Sequence, residues 1–174
     1  MDTPTNTSAH CPADELVQIV DRDNRPIDAR PRRIMRKHGL IHRASYILVF
    51  NADDEIFIQK RTTTKDIYPG YWDVAAGGVM LAGESDLESA RRELAEELGV
   101  TDAALEYLFH HYYEAGENRV WGAVYRCLHE GPFSLQPEEV EYGEFVTIDE
   151  LMRRRENELF TPDGIEILAR LLRK

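Results

Sequence analysis

The chain has 174 residues, 43% of them hydrophobic, and a formal net charge of −11. That length supports one domain whose core needs no disulfides, and the acidic balance excludes stable, sequence-independent nucleic-acid binding, which needs clustered Lys and Arg. No apolar run approaches the ~18 residues of a membrane span. The two cysteines, Cys11 and Cys127, have neither CxxC nor metal-site spacing, so free thiols and a cytoplasmic location are expected.

Residues 1–13 carry no hydrophobic core segment, which rules out a secretory signal, and read as a disordered tail before a single domain over 14–174. Leu16–Val20, a turn at Asp21–Asn24 and Ile27–Ala29 predict a small hairpin. Pro31 to His38 predicts a short helix stopped by Gly39. Its surroundings hold Arg30, Arg32, Arg33, Arg36, Lys37 and Arg43, a second candidate for a local phosphate site beside Arg61 and Lys65, which reads more readily as a solvated helix face. Ala44–Phe50 is a continuous apolar run suited to a buried strand, and Glu55–Arg61 is expected to pair with it. Tyr71–Gly78 predicts a third strand. Leu105–Glu114 and Arg119–His129 predict a hairpin around Ala115–Asn118, and Glu144–Ile148 a last strand. Asp149–Glu156 and Pro162–Leu172 predict helices, the second opened by Thr161-Pro162. Strands flanked by helices imply an α/β/α sandwich on a central mixed sheet.

The segment from Gly78 to Val100, GVMLAGESDLESARRELAEELGV, carries the chemistry. Ser85 and Glu88 fit a capping box and Gly99 a helix C-terminus, so a helix should run over about 86–98. At about 100° per residue, Leu87, Ala90, Leu94 and Leu98 share one apolar stripe. Glu93, Glu96 and Glu97 share another, as i,i+3 and i,i+4 neighbours. Three carboxylates there repel one another, and those in the last turn oppose the helix dipole. Arg92 relieves part of this by pairing with Glu96. A hard divalent cation would relieve the rest, since Mg²⁺ prefers carboxylate, water and phosphate oxygen. Gly77-Gly78 lets backbone approach a ligand closely. An acidic E-x-x-E-E helix alone is more often a solvated face; the fixed spacings of Gly78, Glu84 and Arg92 argue against that here.

Those residues meet every position of G-x5-E-x7-R-E-U-x-E-E-x-G-U, with U aliphatic. A chance match has a probability of roughly 10⁻⁷ at average residue usage. The chain therefore resembles the Nudix hydrolases, which use Mg²⁺ or Mn²⁺ to cleave a diphosphate bond in a nucleoside diphosphate linked to another group. The resemblance implies Glu93, Glu96, Glu97 and a backbone carbonyl near Gly77 as metal ligands. It implies that Arg92 and Glu84 hold loop and helix together. The small-molecule partner it implies is a nucleoside diphosphate derivative; whether the chain forms a homodimer is left open.

Further residues narrow the resemblance. His42-Arg43-Ala44, QKRTTTKDIYPGYWDVAAGG (59–78), RVWGAVYRC (119–127) and GPFSLQPEEV (131–140) are similar to the YfcD-like branch, which is related to type 1 isopentenyl-diphosphate isomerase. The isomerase needs a catalytic cysteine and a metal-binding histidine where this chain has Gly77 and Val79. Glycine transfers no proton and valine binds no metal, so hydrolase is favoured over isomerase, and the complete box argues against a non-catalytic nucleotide-binding module. The downstream places that mark ADP-ribose or dinucleoside-polyphosphate subfamilies hold Gly116 and Glu117, so neither marker is present.

Arg61 or Lys65 is expected to clamp the far phosphate. The base is Glu93 or a carboxylate among Glu138, Glu139 and Glu141. Tyr68, Tyr71, Trp72, Tyr112 and Tyr113 are candidates to stack a base, although each reads as readily as packing. Trp121 reads as core.

Overall fold

A computed structural model describes residues 11–173. Of the expected tail, residues 1–10 lie outside the described residues. Pro12 and Ala13, placed in that tail, belong to a 3-10 turn, Pro12–Asp14, whose Asp14 pairs with Arg33 at 2.8 Å.

Among the described residues eight strands form one sheet. They are β1 (Leu16–Val20), β2 (Pro26–Pro31), β3 (His42–Phe50), β4 (Ile56–Arg61), β5 (Trp72–Asp73), β6 (Glu106–Ala115), β7 (Asn118–Leu128) and β8 (Val140–Val146). The helices are α1 (Arg32–Lys37), α2 (Asp86–Leu98), α3 (Ile148–Arg154) and α4 (Pro162–Leu172). The sheet is mixed: β7 runs parallel to β3 from His42↔Val120 to Phe50↔Leu128, and the remaining strand pairs are antiparallel.

The apolar run of β3 is continuous because both its faces are covered. Ile47 and Val49 pack with Ala90, Leu94 and Leu98 of α2. Leu48 and Phe50 pack with Leu151 of α3 and Ile167 and Leu168 of α4. Helices on both faces of the sheet make the α/β/α sandwich. Among the described residues no helix is long and apolar enough to cross a membrane.

Four local expectations need correction. β4 meets β3 only at Phe50↔Ile56, because β4 ladders with β8 from Ile56↔Val146 to Arg61↔Val140. The segment after β5 takes the vacated edge of β3, through bridges Ile47↔Ala76 and Ala44↔Val79. That segment is not the regular strand expected over Tyr71–Gly78; only Trp72–Asp73 is strand, the chain bends at Val74 and Ala75, and Gly77 follows at φ 144°. The last strand ends at Val146, not Ile148, because Thr147 caps α3 by accepting from the Glu150 amide. Finally, Leu87 is 37% exposed and does not join the buried stripe of α2.

Candidate functional site

Helix α2 starts and stops where its sequence dictates. The Ser85 hydroxyl accepts from the Glu88 amide at 3.2 Å, and the Glu88 carboxylate accepts from the Ser85 amide at 2.8 Å. Gly99 closes the helix in the left-handed conformation, φ 69°. Its buried face anchors α2 on β3, and this anchoring turns the acidic stripe onto the loop that precedes the helix.

Gly77 and Gly78 are the counterpart of that stripe. A Cβ on Gly77 would lie 2.0 Å from the Ser45 carbonyl oxygen, and φ 144° disfavours any side chain there. A Cβ on Gly78 would lie 2.7 Å from Glu93 Oε2, so Glu93 rests against bare backbone. Glu97 Oε2 accepts from the Gly77 amide at 3.1 Å and from Gln59 Nε2 at 2.9 Å. The Gly78 carbonyl is engaged by the Ser45 amide at 3.0 Å, whereas no hydrogen bond to the Gly77 carbonyl occurs among the described residues.

Arg92 is the hub of the loop–helix unit. Its Nε and Nη2 donate to the two oxygens of Glu84 at 2.6 and 3.0 Å, and Nη2 also reaches the Val79 carbonyl at 3.3 Å. Its Nη1 donates to Glu93 Oε1 at 2.7 Å and Glu96 Oε2 at 3.2 Å. Glu84 in turn accepts from the Leu81 amide at 2.9 Å. The sequence indicated the Arg92–Glu96 pair; the stronger bidentate bond to Glu84 could not be read from spacing alone.

The three glutamates differ in surroundings. Glu93 and Glu97 are 9% and 3% exposed, and Glu96 is largely in solvent. Burial, then the charge of Glu97, pushes the Glu93 carboxyl up to about 7 against the opposing pull of Arg92. Burial also raises the Glu97 carboxyl, opposed by Lys65, Gln59 and the Gly77 amide. The donor set suits a hard divalent ion, and two buried, mutually repelling carboxylates are what such an ion would neutralise. Among the described residues, though, no three acidic, His or Cys side chains converge closely enough to hold a metal ion as they lie. Glu93 and Glu96 are drawn to Arg92 and Glu97 to Gln59, so binding requires their carboxylates to turn.

A cavity of about 80 Å³ opens beside this unit. The Gly77-Gly78 backbone, Arg61 and Lys65 line one part of it. Arg61 donates to Asp73 Oδ2 at 3.2 Å and to the carbonyls of Ile67 and Tyr68 at 2.8 and 3.3 Å. Lys65 pairs with Glu139, and burial lowers its ammonium pKa, opposed by Glu97. Of the three candidate carboxylates, Glu139 alone makes this contact; Glu138 is exposed, and Glu141 is exposed and lies in β8 rather than in the loop before it.

Arg32 and Arg36 correct the expectation of a solvated helix face. Both line the same cavity and pair with Asp66, at 3.3 and 3.1 Å. Burial alone would raise the Asp66 carboxyl; Arg36 and Arg32 outweigh it and hold it at about 2. A solvated face and a cavity wall carry the same i,i+4 arginine pattern, so only the tertiary position of Asp66 separates them. Arg43 lies elsewhere, donating to Asn24 at 2.8 Å.

Among the aromatics, Tyr68 lines the cavity and its hydroxyl lies 3.1 Å from that of buried Tyr113. Trp72 does not line it. It is 7% exposed, stacked on Phe160 and covered by Arg154 and Lys60, so a base could reach it only by displacing them. Trp121 is half-buried against Tyr112 rather than core. Asp73, Tyr46 and Asp163, which no motif marked, also line the cavity. Burial, with Asp163 nearby, raises the Asp73 carboxyl despite its bond to Arg61.

Comparison with known proteins shows the family and the fold. The model of the NUDIX domain matches residues 40–171. The Nudix hydrolase PA4841 of Pseudomonas aeruginosa is 40% identical over 154 residues, 88% of this chain and 91% of that one. The Nudix hydrolase YfcD of Escherichia coli is 43% identical over 155 residues, 89% of this chain and 85% of that one. Among solved structures, DR0079 from Deinococcus radiodurans superposes with a TM-score of 0.76 at 22% identity, covering 90% of this chain and 98% of that one. The Nudix domain of NrtR from Shewanella oneidensis, complexed with ADP ribose, gives 0.62 at 15%, over 75% and 86%. At such identities the structural likenesses speak to fold alone.

Proposed function

The chain belongs to the Nudix family of hydrolases, and from that premise we propose that it cleaves a diphosphate bond in a nucleoside diphosphate joined to another group, with Mg²⁺ or Mn²⁺ as cofactor. The observation that carries the reading is the burial of Glu93 and Glu97 against the Gly77-Gly78 backbone, at the edge of a cavity that Arg61 and Lys65 also line.

Glu93, Glu96, Glu97 and the Gly77 carbonyl would hold the cation. When bound, it supplies neutralisation of diphosphate charge and acidifies the attacking water. Arg61 and Lys65 draw phosphate oxygens into the cavity, exchanging part of their bonds to Asp73 and Glu139 for substrate. Arg92 keeps the acidic stripe aligned with the loop through Glu84. Glu93 and Glu139 are the two candidates for the proton acceptor; Glu139 shares Lys65 with the phosphate end of the cavity. Two unpaired cysteines, one exposed and one buried, suit a cytoplasmic enzyme.

A substrate screen tests the proposal. Nucleoside diphosphates, nucleotide sugars, ADP-ribose, dinucleoside polyphosphates, coenzyme A and prenyl diphosphates are incubated with the chain and Mg²⁺, and phosphate is read after phosphatase. Turnover of a nucleotide that stops with EDTA supports the hydrolase. Isomerised isopentenyl diphosphate, or nucleotide binding without turnover, overturns it.

A further inference from the structure

We propose that the group on the far side of the cleaved diphosphate is rich in hydrogen-bond donors, hydroxyl or amino, which Asp163 and Tyr46 accept within the cavity, and that it is not an isoprenoid chain. The inference rests on the hydrolase reading for where the diphosphate lies.

Asp163 sits in the first turn of α4 and is 8% exposed. Its Oδ2 accepts the Tyr46 hydroxyl at 2.7 Å. Its Oδ1 is buried and has no hydrogen-bond partner among the described residues. The neighbouring carboxylate, Asp73, has no such deficit: its Oδ1 accepts from Thr161 and the Ala75 amide at 3.2 Å each, and its Oδ2 from Arg61. A buried carboxylate oxygen without a donor is costly, and native interiors seldom leave one so. The start of α4 offsets part of the charge through its dipole, but it leaves the Oδ1 lone pairs unmet. Asp163 lines the cavity, so a ligand there can meet them.

Two neighbours extend this acceptor character. The Tyr46 hydroxyl donates its one hydrogen to Asp163, so its oxygen can only accept a further bond. Its ring is fixed by close packing, since a Cβ on Gly122 would lie 2.5 Å from Tyr46 Cε2. His42 lines the same cavity, and its Nδ1 lies 3.1 Å from the Leu40 carbonyl. A carbonyl only accepts, so Nδ1 carries the proton and Nε2 of the neutral ring is left as an acceptor. Arg61 and Lys65 offer donors to phosphate; Asp163, Tyr46 and His42 offer acceptors to what the phosphate carries. A prenyl tail would leave the Asp163 oxygen buried against hydrocarbon, whereas a sugar hydroxyl or an amine satisfies it.

The test measures binding to the full chain in EDTA, so that turnover is not the readout. UDP-glucose is the hydroxyl probe, CDP-ethanolamine the amino probe, and the methyl esters of UDP and CDP, the same nucleotides with no donor on the far side, the donor-free control, each titrated by calorimetry and thermal melt. Wild type should bind one of the first two at least tenfold more tightly than the control. Asp163→Asn turns an amide N–H toward the cavity and should weaken that probe roughly 10- to 100-fold, while the control is unchanged. The arm that responds separates hydroxyl from amine. Should Asp163→Asn fail to fold, Asp163→Ala, which removes both oxygens, carries the same expectation. Equal affinity of wild type and variant for both donor probes, tighter binding of the control, or no binding of either donor probe to wild type overturns the inference. Donor-probe binding that Asp163→Asn weakens, with no hydrolysis of any nucleotide under Mg²⁺, upholds it and sinks only the hydrolase reading.

Discussion

The Gly77 amide donates to Glu97 Oε2 at 3.1 Å, across the junction between the glycine loop and the end of α2. This bond and the Arg92–Glu84 pair make loop and helix one unit, so the position of the acidic stripe is set by backbone as much as by side chains. Glu97 is also the most buried of the three glutamates in the acidic stripe, and its charge adds to the rise of the Glu93 carboxyl.

Glu97→Gln should therefore separate fold from turnover. The amide oxygen can still accept from Gly77 or Gln59, and the repulsion with Glu93 disappears. The melting temperature should hold or rise, while kcat/KM under saturating Mg²⁺ falls roughly 10²- to 10³-fold, the scale of losing a cation's charge stabilisation. A variant with wild-type rate would sink the assignment of Glu97 to the metal.

Gly77→Ala should destabilise the chain by about 2 kcal/mol or more, read by urea unfolding. The sequence suggested that glycine serves close approach to a metal. The nearer obstacle is the Ser45 carbonyl, 2.0 Å from any Cβ placed there, in a backbone at φ 144°. Gly77→Cys should suffer likewise and gain no isomerase activity, because Val79 still offers no metal-binding nitrogen. Deuterium entering isopentenyl diphosphate in D₂O with Gly77→Cys would refute this.

The contrast between Ser85 and Asp163 shows what the sequence could carry. Ser85, Glu88 and Gly99 act within a few residues of themselves, so local rules located α2 to the residue. The two faces of β3 were legible as an unbroken apolar run. The irregular course of 71–78 was not, because it fills an edge of β3 that β4, laddered with β8, leaves open. The cavity was hidden for the same reason. Asp163 meets Tyr46 across 117 positions, and Arg36 meets Asp66 across 30. Neither pairing leaves a spacing that could be read, and the arginines on α1 look like any solvated face until Asp66 is placed against them.

Divalent metal should stabilise the folded chain. A cation that binds only the native state adds about 2.7 kcal/mol at a hundredfold excess over its Kd. Because Glu93, Glu96 and Glu97 must turn from Arg92 and Gln59 to bind, part of the intrinsic affinity is spent on that rearrangement, but the sign remains. The melting temperature should rise with Mg²⁺ or Mn²⁺, and much less in a Glu93→Gln/Glu97→Gln variant. An equal rise in both would mean general screening of a chain with net charge −11.

His42 should govern part of the acid sensitivity of the fold. Burial, then the positive charge of Arg36, holds its ring pKa down to about 3, although the bond to Leu40 opposes them. The unfolded chain, near the ordinary 6.5, then takes up the proton first. The stability that His42 contributes is present above pH 6.5 and is lost as pH falls from there toward 3, at up to about 1.4 kcal/mol per pH unit. Glu93 works in the opposite direction in part of that window: its folded carboxyl near 7 lies above the unfolded value, so its burial costs less as pH falls from 7. Asp66, held at about 2, adds its own loss only below roughly 3.8. The wild-type curve thus mixes opposed slopes, and the difference between wild type and His42→Gln isolates the ring. Urea unfolding between pH 6.5 and 4.5 should show the variant less stable at the upper end and the gap closing as pH falls. A gap that stays constant across the window would mean that His42 is not held neutral by its surroundings.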